Sequence, residues 1–422
     1  MPSVINMLKA KISLSTWMLV YLFSLATSLY ALGLIRNSFN VMLIVVMAVS
    51  LAIMVFKTPY FRKREIPFYA LYSCMCLFAL LNGKSFRIGT FLYAGMFIFS
   101  FCFYDRLLCK GLLKIDVFCS FLKKIIYAYF IVLVIQQVST LLGLPVLNQC
   151  WKFTNIFKLN SLAHEPSYIA GTMLIFMYSF LTISKTIRKQ QKYSVRKNIK
   201  KDRWVWISFF YVMLSCGSSH ALLGIVLFSL YLLREYKKFF VFFGIACALI
   251  FFVGHKKMVQ YESYNRLYQS IVAAVSLDTE QIRKTDLSTA ARINPIIFYI
   301  EDFDFFSKNV WFGHGIDYSK KHTIVRLLGH ENAMEQGNAT GGLFPAFFLD
   351  YGLLCGLLFL FALRFFTMRK FISFPLVIWL FFFMAIGFNT YMQWLFFAFM
   401  STTLFFERKS LPATYSEERS NR

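Results

Sequence analysis

Charged residues are scarce in this sequence. Asp, Glu, Lys and Arg together make up 15% of the 422 residues, whereas 58% are hydrophobic and 19% are aromatic. A single soluble core cannot bury that much apolar surface. The scarcity of charge therefore excludes an ordinary soluble domain and predicts an all-α polytopic membrane protein.

Signatures of several other protein classes are also missing. The nine cysteines form no Cys-x-x-Cys pair and no spacing typical of a metal site, and most of them fall in apolar segments. The chain contains no internal repeat and no low-complexity tract. The sequence therefore gives no sign of a metal site or of a repeat architecture.

Apolar runs of roughly bilayer-spanning length recur along the chain, and we count about twelve. They lie near residues 14–35, 38–56, 66–82, 88–104, 122–143, 167–184, 204–217, 220–233, 239–254, 341–363, 373–388 and 390–406. The first run is too long for a signal-peptide core and is expected to remain as a signal anchor. Residues 1–406 are thus predicted to form one transmembrane domain, followed by a polar tail at residues 407–422.

Basic clusters recur at alternate connections between these runs. The strongest is the segment 185–203, which has nine Lys or Arg residues against Asp202 alone. Because short basic loops stay in the cytoplasm, this segment, both termini and the tail are predicted to be cytoplasmic. The net charge of +25 is then a topology signal, and no nucleic-acid partner is expected.

One polar connection is far longer than the others. Residues 255–340 contain ten basic and ten acidic residues, so this loop is about neutral and is predicted to lie on the outer side of the membrane. Spacings from Met258 to Val275 predict an amphipathic helix. A second helix is predicted to begin at Asn294-Pro295 and to continue to Val310, with Arg292 just before it.

All six histidines fall on the predicted outer side, in three separate segments. They are His164, His220, His255, His314, His322 and His330. Polar groups from separate segments on one face are what a site at the membrane surface needs.

The first candidate group lies where an outer loop enters the sixth span. Glu165 could accept a proton from a sugar hydroxyl, His164 could share that role, and Lys158 and Ser167 could bind substrate. The alternative is structural: Pro166 suits a first helical turn, and Glu165 or Ser167 could cap the helix or complement its positive end.

The second candidate group lies in the long loop. Arg292 has the forked donors that suit a diphosphate, and Gly313 and Gly315 would let backbone approach a ligand beside His314. The structural alternatives are an exposed arginine paired with Asp286 or Glu301 and a simple glycine turn. Further candidates for substrate binding, each also explicable as a solvated surface residue, are Lys320, His322 and His330.

A third group is the hairpin of small residues from Ser215 to Ala221. Small residues allow two helices to approach closely, which alone could explain the segment. If the spans run deep, Ser219 and His220 would instead face a cavity and bind substrate.

Taken in order, these segments resemble the O-antigen polymerase family of bacterial surface-polysaccharide assembly. The resemblance rests on Glu165-Pro166-Ser167, the hairpin ending at Ala221, Arg292 ahead of Phe312-Gly313-His314-Gly315, and the Gly-spaced segment Leu349-Asp350-Tyr351-Gly352-Leu353-Leu354-Cys355-Gly356. It covers roughly Lys158 to Gly356 together with the span count. Lys158 stands where many members of the family carry arginine, so the compact charge of an ammonium group replaces the forked hydrogen-bond donors of a guanidinium there.

The resemblance implies a class C glycosyltransferase with about twelve transmembrane helices in the bacterial cytoplasmic membrane and its site facing the periplasm. It implies that a growing glycan moves from undecaprenyl diphosphate onto the sugar end of a fresh lipid-linked repeat unit, without a nucleotide sugar, a metal or another cofactor. In that scheme an arginine steadies the leaving diphosphate, and an acid or histidine activates the acceptor. The implied partners are the lipid-linked oligosaccharide, membrane lipids and a chain-length regulator protein.

Two alternatives remain open, an O-antigen ligase and a lipid-linked glycan transporter or flippase. The ligases usually carry a His-Asn pair shortly before the Gly-spaced span, whereas His330 here is followed by Glu331 and lies well upstream. A transporter predicts charged groups near the middle of the membrane. The predicted spans are nearly free of Asp, Glu and Arg at their centres, with Asp350 as the main exception.

Overall fold

The fold is described from a computed structural model. It covers residues 13–28, 41–57, 60–82, 88–148, 155–188, 199–234, most of 278–319 and 342–410, with a few isolated positions between 260 and 275. Every regular element in these ranges is helical, which confirms the all-α class. The predicted span at 239–254 and most of the predicted helix from Met258 to Val275 lie outside the described residues.

Fourteen α-helices are described within these ranges. They are α1 (Leu14–Ala26), α2 (Val41–Lys57), α3 (Ile66–Leu81), α4 (Ile88–Cys109), α5 (Ile115–Leu141), α6 (Pro166–Ile187), α7 (Arg203–Ser215), α8 (Ser219–Leu233), α9 (Thr279–Thr285), α10 (Leu287–Glu301), α11 (Lys308–Phe312), α12 (Phe348–Thr367), α13 (Phe374–Phe382) and α14 (Tyr391–Lys409). A 3₁₀ turn at Lys63–Glu65 leads into α3, and a π-helical turn at Leu343–Phe347 leads into α12.

Within the described parts of the chain, five helical segments are long and apolar enough to cross a membrane. They are Lys63–Leu81, Ile88–Cys109, Ile115–Leu141, Pro166–Ile187 and Leu343–Thr367. Large apolar side chains on their outer faces are exposed, for example Leu80 and Leu92, each at 62%. Such faces suit lipid tails, so the chain is a membrane protein. The count of about twelve spans stays a prediction.

Two helices near the amino terminus differ from the predicted spans. Helix α1 ends at Ala26, because Thr27 is extended and the backbone N–H of Ser28 donates to the carbonyl of Leu162 at 2.7 Å. Helix α5 begins at Ile115, seven residues before the predicted start of its span. Its charged first turns are stabilised because Lys123 pairs with Asp202 at 2.6 Å.

Helix α10 was placed too late by the sequence prediction. It begins at Leu287 and contains Pro295, so Arg292 lies inside the helix rather than before it. Its Ala290 and Ile297 are buried against Ile282 of α9. Burial of that face outweighs the one backbone hydrogen bond that the proline removes. A separate short helix, α11, then follows at Lys308.

Helix α14 occupies the centre of the bundle. Trp394 is fully buried and stacks on Phe97 of α4, with ring centroids 5.7 Å apart. The helix also buries polar side chains: Thr402 bonds to Tyr104 at 2.6 Å, and Thr403 donates to Ser179 at 2.9 Å. These polar contacts between helices explain how α14 can be central although it is less apolar than its neighbours.

The bundle has two ends of different chemistry. At the basic end, Arg106 is buried and donates to both oxygens of buried Glu65 at 2.7 and 2.6 Å, and Arg188 contacts Asp202 at 2.7 Å. The basic end is defined by these groups together with Arg234 and Arg369. The motif end is the opposite end, where Asn82, His164, Gly217, Gly313 and Gly352 lie; it holds the segments that carry the family resemblance.

Candidate functional site

Buried amides fix the loop that precedes α6. The backbone N–H of Ser161 donates to Oε1 of Gln136 at 2.8 Å, and Nδ2 of Asn160 donates to the carbonyls of Asn148 and Ala163 at 2.9 and 2.7 Å. Gln136, Asn160 and Ser161 are completely buried. Ser161 also adopts a left-handed φ of 48°. Because buried polar groups are costly to leave unpaired, this network holds the backbone just ahead of His164 in one conformation.

His164 and Glu165 follow this network at the start of α6, and both are half-buried. The backbone N–H of His164 faces the hydroxyl of Tyr391 on α14, at 3.4 Å. Burial lowers the pKa of the His164 imidazole, and the nearby Glu165 carboxylate partly opposes that shift. A lowered pKa keeps this histidine neutral, and therefore able to accept a proton, to a lower pH than usual.

Glu165 occupies the N-cap position of α6, but its side chain caps no backbone N–H. The structure therefore shows no side-chain cap at Glu165, although a carboxylate at this position still complements the positive end of α6, and Pro166 occupies the first turn as predicted. The carboxylate instead accepts a hydrogen bond from the hydroxyl of Ser167 at 3.3 Å. Lys158 is exposed in the same loop. The first candidate group thus places one carboxylate, one neutral imidazole and one cation in a single short segment.

The small-residue hairpin packs directly on this loop. Gly217 has a φ of 58°, and a Cβ added there would lie 1.8 Å from the carbonyl oxygen of Phe157. The side chain of His220 packs against Phe382, with ring centroids 6.2 Å apart. Ser219 begins α8, although its side chain is outside the described part of the chain. The structure therefore brings the first and third candidate groups together.

The Phe312-Gly313-His314-Gly315 segment docks on the start of α12. The N–H of His314 donates to the carbonyl of Leu349 at 2.9 Å, and the N–H of Gly315 donates to that of Asp350 at 3.1 Å. From α3, Nδ2 of Asn82 donates to the carbonyl of Gly313 at 3.0 Å. Two motifs far apart in sequence thus form one structural unit.

Glycine is required on both sides of this contact. Gly313 has a φ of 77°, and its added Cβ would lie 2.3 Å from the carbonyl oxygen of Asp350. Gly352 has a φ of 79° within α12, and its added Cβ would lie 2.3 Å from the carbonyl oxygen of Trp311. These glycines therefore allow two backbone segments to come into direct contact, so Gly313 does more than form a simple turn.

A cavity of about 250 Å³ lies beside this unit. Its polar lining includes Tyr299, Asp302, Asn309, His314 and Tyr318. The rings of His314 and Tyr318 stack with centroids 4.1 Å apart and planes 7° from parallel. The volume is below the roughly 300–1,000 Å³ of typical ligand pockets, so the cavity suits a small polar ligand about the size of a single sugar.

The turn between α13 and α14 joins the two parts of the motif end. On one side, the N–H of Leu343 donates to the carbonyl of Met384 at 3.1 Å, and Phe388 packs on Phe347 with centroids 5.0 Å apart. On the other side, the turn leads into Tyr391, which contacts His164. The His164 segment and the cavity are therefore connected through one short stretch of chain.

For the remaining candidate site residues in the long loop, the structure describes less. Arg292 lies in α10, whose later residue Tyr299 packs against Phe344 with centroids 5.2 Å apart. Only its helical position is described, not its side chain. Lys320, His322 and His330 lie outside the described residues.

Comparison with protein-family models, curated proteins and solved structures gives no match. The chemistry of the motif end must therefore be argued from its own residues.

Sequence reasoning missed three residues that hold this site together. Tyr391 contacts His164, Asn82 anchors Gly313, and Gln136 organises the preceding loop. A glutamine inside an apolar span and an asparagine at the end of one are visible in the sequence, since polar groups there need partners. The partners themselves are not, because they lie far away along the chain.

Proposed function

We propose that this protein is a polysaccharide polymerase of the bacterial cytoplasmic membrane, with its site at the motif end facing the periplasm. It transfers a growing glycan from undecaprenyl diphosphate onto the sugar end of a lipid-linked repeat unit. The observation that carries the proposal is the convergence of the motif segments: Glu165, the Gly217 hairpin and the docked Gly313 and Gly352 all lie at one end of the bundle.

The proposed reaction assigns one role to each side of the site. A hydroxyl oxygen of the acceptor sugar attacks the anomeric carbon of the growing glycan, and the bond from that carbon to the diphosphate oxygen breaks. Glu165 accepts the hydroxyl proton, with His164 beside it, and undecaprenyl diphosphate departs with its charge held by Arg292. The cavity next to His314 binds one unit of the substrate.

The absence of a side-chain cap at Glu165 supports its role as a base. Its carboxylate is half-buried and, among the described residues, accepts one hydrogen bond, from Ser167 at 3.3 Å, so oxygen acceptor positions remain for a substrate hydroxyl. The fixed backbone before His164 supports the same assignment, because a catalytic base must be held within hydrogen-bond reach of its proton.

The test is polymer formation in membranes that contain the variant proteins at equal levels. Glu165→Gln keeps the shape of the side chain and removes the base, and Arg292→Lys keeps the charge and removes the fork. Each is expected to reduce polymer formation by about 100-fold or more, within the range of general-base and charge-stabilising groups. Glu280→Gln and Lys284→Ala are matched controls, because both residues are exposed on α9.

Long polymer at normal protein levels from Glu165→Gln or Arg292→Lys contradicts the assignment of that residue. Movement of lipid-linked units across the membrane without any change in glycan length would contradict the polymerase itself and favour a transporter.

A further inference from the structure

A second crevice lies at the basic end, remote from the residues of the proposed reaction. It has a volume of about 280 Å³ and forms where the last turns of α6, α8, α12 and α14 meet the start of α13. Four cationic side chains line it, from Lys185, Arg234, Arg369 and Lys370. Among the described residues that line it, Glu407 is the one carboxylate.

The positive charge of this crevice is less neutralised by carboxylates than the positive charge elsewhere at the basic end. Elsewhere at the basic end, each buried carboxylate of Glu65 and Asp202 lies within 2.7 Å of a cation. In the crevice, Nη1 of Arg369 lies 3.9 Å from Oε1 of Glu407, and both side chains are more than a third exposed. Such a pair is weak. A surplus of positive charge therefore remains to attract an anion.

The backbone that carries two of the cations is held in place. Arg364 donates from Nη1 to the carbonyl of Met368 at 2.5 Å and from Nη2 to that of Arg369 at 2.8 Å. Arg234 is similarly placed, with its guanidinium carbon 4.1 Å from the ring centre of Tyr231. The crevice is thus organised before any ligand binds, which lowers the entropy cost of binding.

A buried hydroxyl points to a ligand that accepts hydrogen bonds. Ser373 lines the crevice, and its Oγ is buried without a hydrogen-bond partner among the described residues. Ser373 is also the N-cap of α13, a helix of nine residues, and its side chain caps no backbone N–H. A buried polar group without a partner is costly, and a helix start favours negative charge. A phosphate oxygen would accept a hydrogen bond from the Ser373 hydroxyl and would place negative charge at the start of α13.

Exposed apolar residues lie at the crevice and beside it. Ile372 lines the crevice and is 90% exposed, and its chain neighbour Phe371 is 67% exposed. Exposed apolar side chains beside cations are typical of a protein surface at the lipid headgroup level. An ion from water would not use these residues, whereas the glycerol and first methylene groups of a lipid would pack on them.

We propose that this crevice binds the phosphate headgroup of an anionic glycerophospholipid from the membrane leaflet at the basic end. The phosphate lies among Lys185, Arg234 and Lys370 and accepts a hydrogen bond from Ser373, while the glycerol backbone rests on Phe371 and Ile372. This inference is independent of the proposed polymerase reaction.

The main test is lipid binding to the purified full-length protein, measured by native mass spectrometry with phosphatidylglycerol and with phosphatidylcholine of the same acyl chains. The triple variant Lys185→Ala/Arg234→Ala/Lys370→Ala removes three cations from the crevice. We expect a loss of about fivefold for each cation, on the order of 100-fold in total for phosphatidylglycerol. Phosphatidylcholine is expected to bind weakly to both proteins.

The matched control is Lys110→Ala/Lys114→Ala/Lys201→Ala, which removes the same charge from exposed residues at the basic end. It should change phosphatidylglycerol binding less than threefold. Equal weakening by both triple variants would mean non-specific attraction and overturn the proposal. Glu407→Gln should tighten binding, because it removes the only carboxylate that lines the described crevice.

Two further measurements distinguish binding of a lipid from binding of a free anion and test the role of the Ser373 hydroxyl. Glycerol phosphate at millimolar concentration should not displace phosphatidylglycerol; full displacement would assign the crevice to a soluble anion instead. Ser373→Ala should weaken phosphatidylglycerol binding severalfold and leave phosphatidylcholine unchanged. Unchanged binding in both Ser373→Ala and the crevice triple variant would overturn the site.

Discussion

The two ends of the bundle stabilise their backbones by different means. At the basic end, buried charges are paired, as in Glu65 with Arg106 at 2.6 Å. At the motif end, neutral amides such as Gln136 and Asn160 bind backbone carbonyls and N–H groups. Ion pairs neutralise each other, and so they leave little chemistry for a substrate. In the described contacts, the neutral network holds the backbone in place without pairing with the nearby titratable side chains of His164 and Glu165.

The comparison teaches where to look for function in a membrane bundle with so few charges. A conspicuous basic cluster is not by itself a site. Arg106, for example, is buried and donates hydrogen bonds to both carboxylate oxygens of Glu65. The more informative feature is a titratable residue held next to a rigid neutral network.

The largest expected effect comes from breaking the buried pair at the basic end. Arg106→Met leaves the Glu65 carboxylate buried without a cation, with the hydroxyl of Tyr69 still donating to it, and should destabilise the protein by about 3–5 kcal/mol. Glu65→Leu/Arg106→Met removes both charges and should recover most of that loss. The measurement is the free energy of unfolding in detergent, with Lys110→Met as an exposed control.

If the double variant is no more stable than Arg106→Met, the pair does not act as a unit. The comparison between charged and neutral support would then fail at its first step.

The next effect is at the contact between two glycines of the motif end. Gly313→Ala or Gly352→Ala forces a side chain into a left-handed conformation and onto a backbone carbonyl 2.3 Å away. The conformational strain alone is roughly 1–3 kcal/mol, and the clash adds to it. We expect faster proteolysis of the 312–319 segment and loss of polymer formation.

Gly89→Ala is the matched control, since an added Cβ there would meet nothing within 4 Å. Proteolysis of both glycine variants at the wild-type rate would contradict the close approach of the two motifs.

Much of the fold could be predicted from the sequence because apolar length reports directly on membrane helices. The runs near 66–82 and 167–184, for example, correspond closely to α3 and α6. Local rules failed where tertiary contacts decided the outcome. Pro295 looked like a helix start but lies inside α10, because burial of Ile297 against α9 outweighs its cost.

The candidate site was predictable as a set of residues but not as a geometry. The charge pattern predicts that Glu165, His220 and Gly313 share one face, and the structure has all three at one end of the bundle; that they form one site stays a prediction. That Gly313 meets Gly352, or that Asn82 binds a carbonyl 231 residues away, could not be predicted. Those contacts depend on the packing of helices, which no local pattern encodes.

A smaller effect is expected from the neutral network. Asn160→Ala removes the donor to the carbonyls of Asn148 and Ala163, and it should cost about 1–3 kcal/mol. Hydrogen exchange at the backbone amides of Ala163 and His164 should also become faster, because the loop loses its anchor. Asn155→Ala, at an exposed position of the same loop, is the control. Unchanged exchange in Asn160→Ala would show that the network does not position His164.

The smallest effect is a pH dependence that belongs to His164. Burial lowers its pKa below the usual value of 6.5, so between the two values the unfolded chain binds a proton that the folded chain does not. Stability should therefore be unaffected above pH 7.5 and should decrease as the pH falls through 6.5.

Unfolding free energies at pH 7.5 and 5.5 test this sign. His164→Gln should lose less stability than the wild type over that interval, and the difference should correspond to at most one proton. Glu165→Gln should make the loss steeper, because the carboxylate favours the charged imidazole. Identical pH slopes for the wild type and His164→Gln would mean that the neutral network does not keep this imidazole out of water. The contrast between the buried ion pair of Glu65 and Arg106 at the basic end and the titratable pair at the motif end would then lose its support.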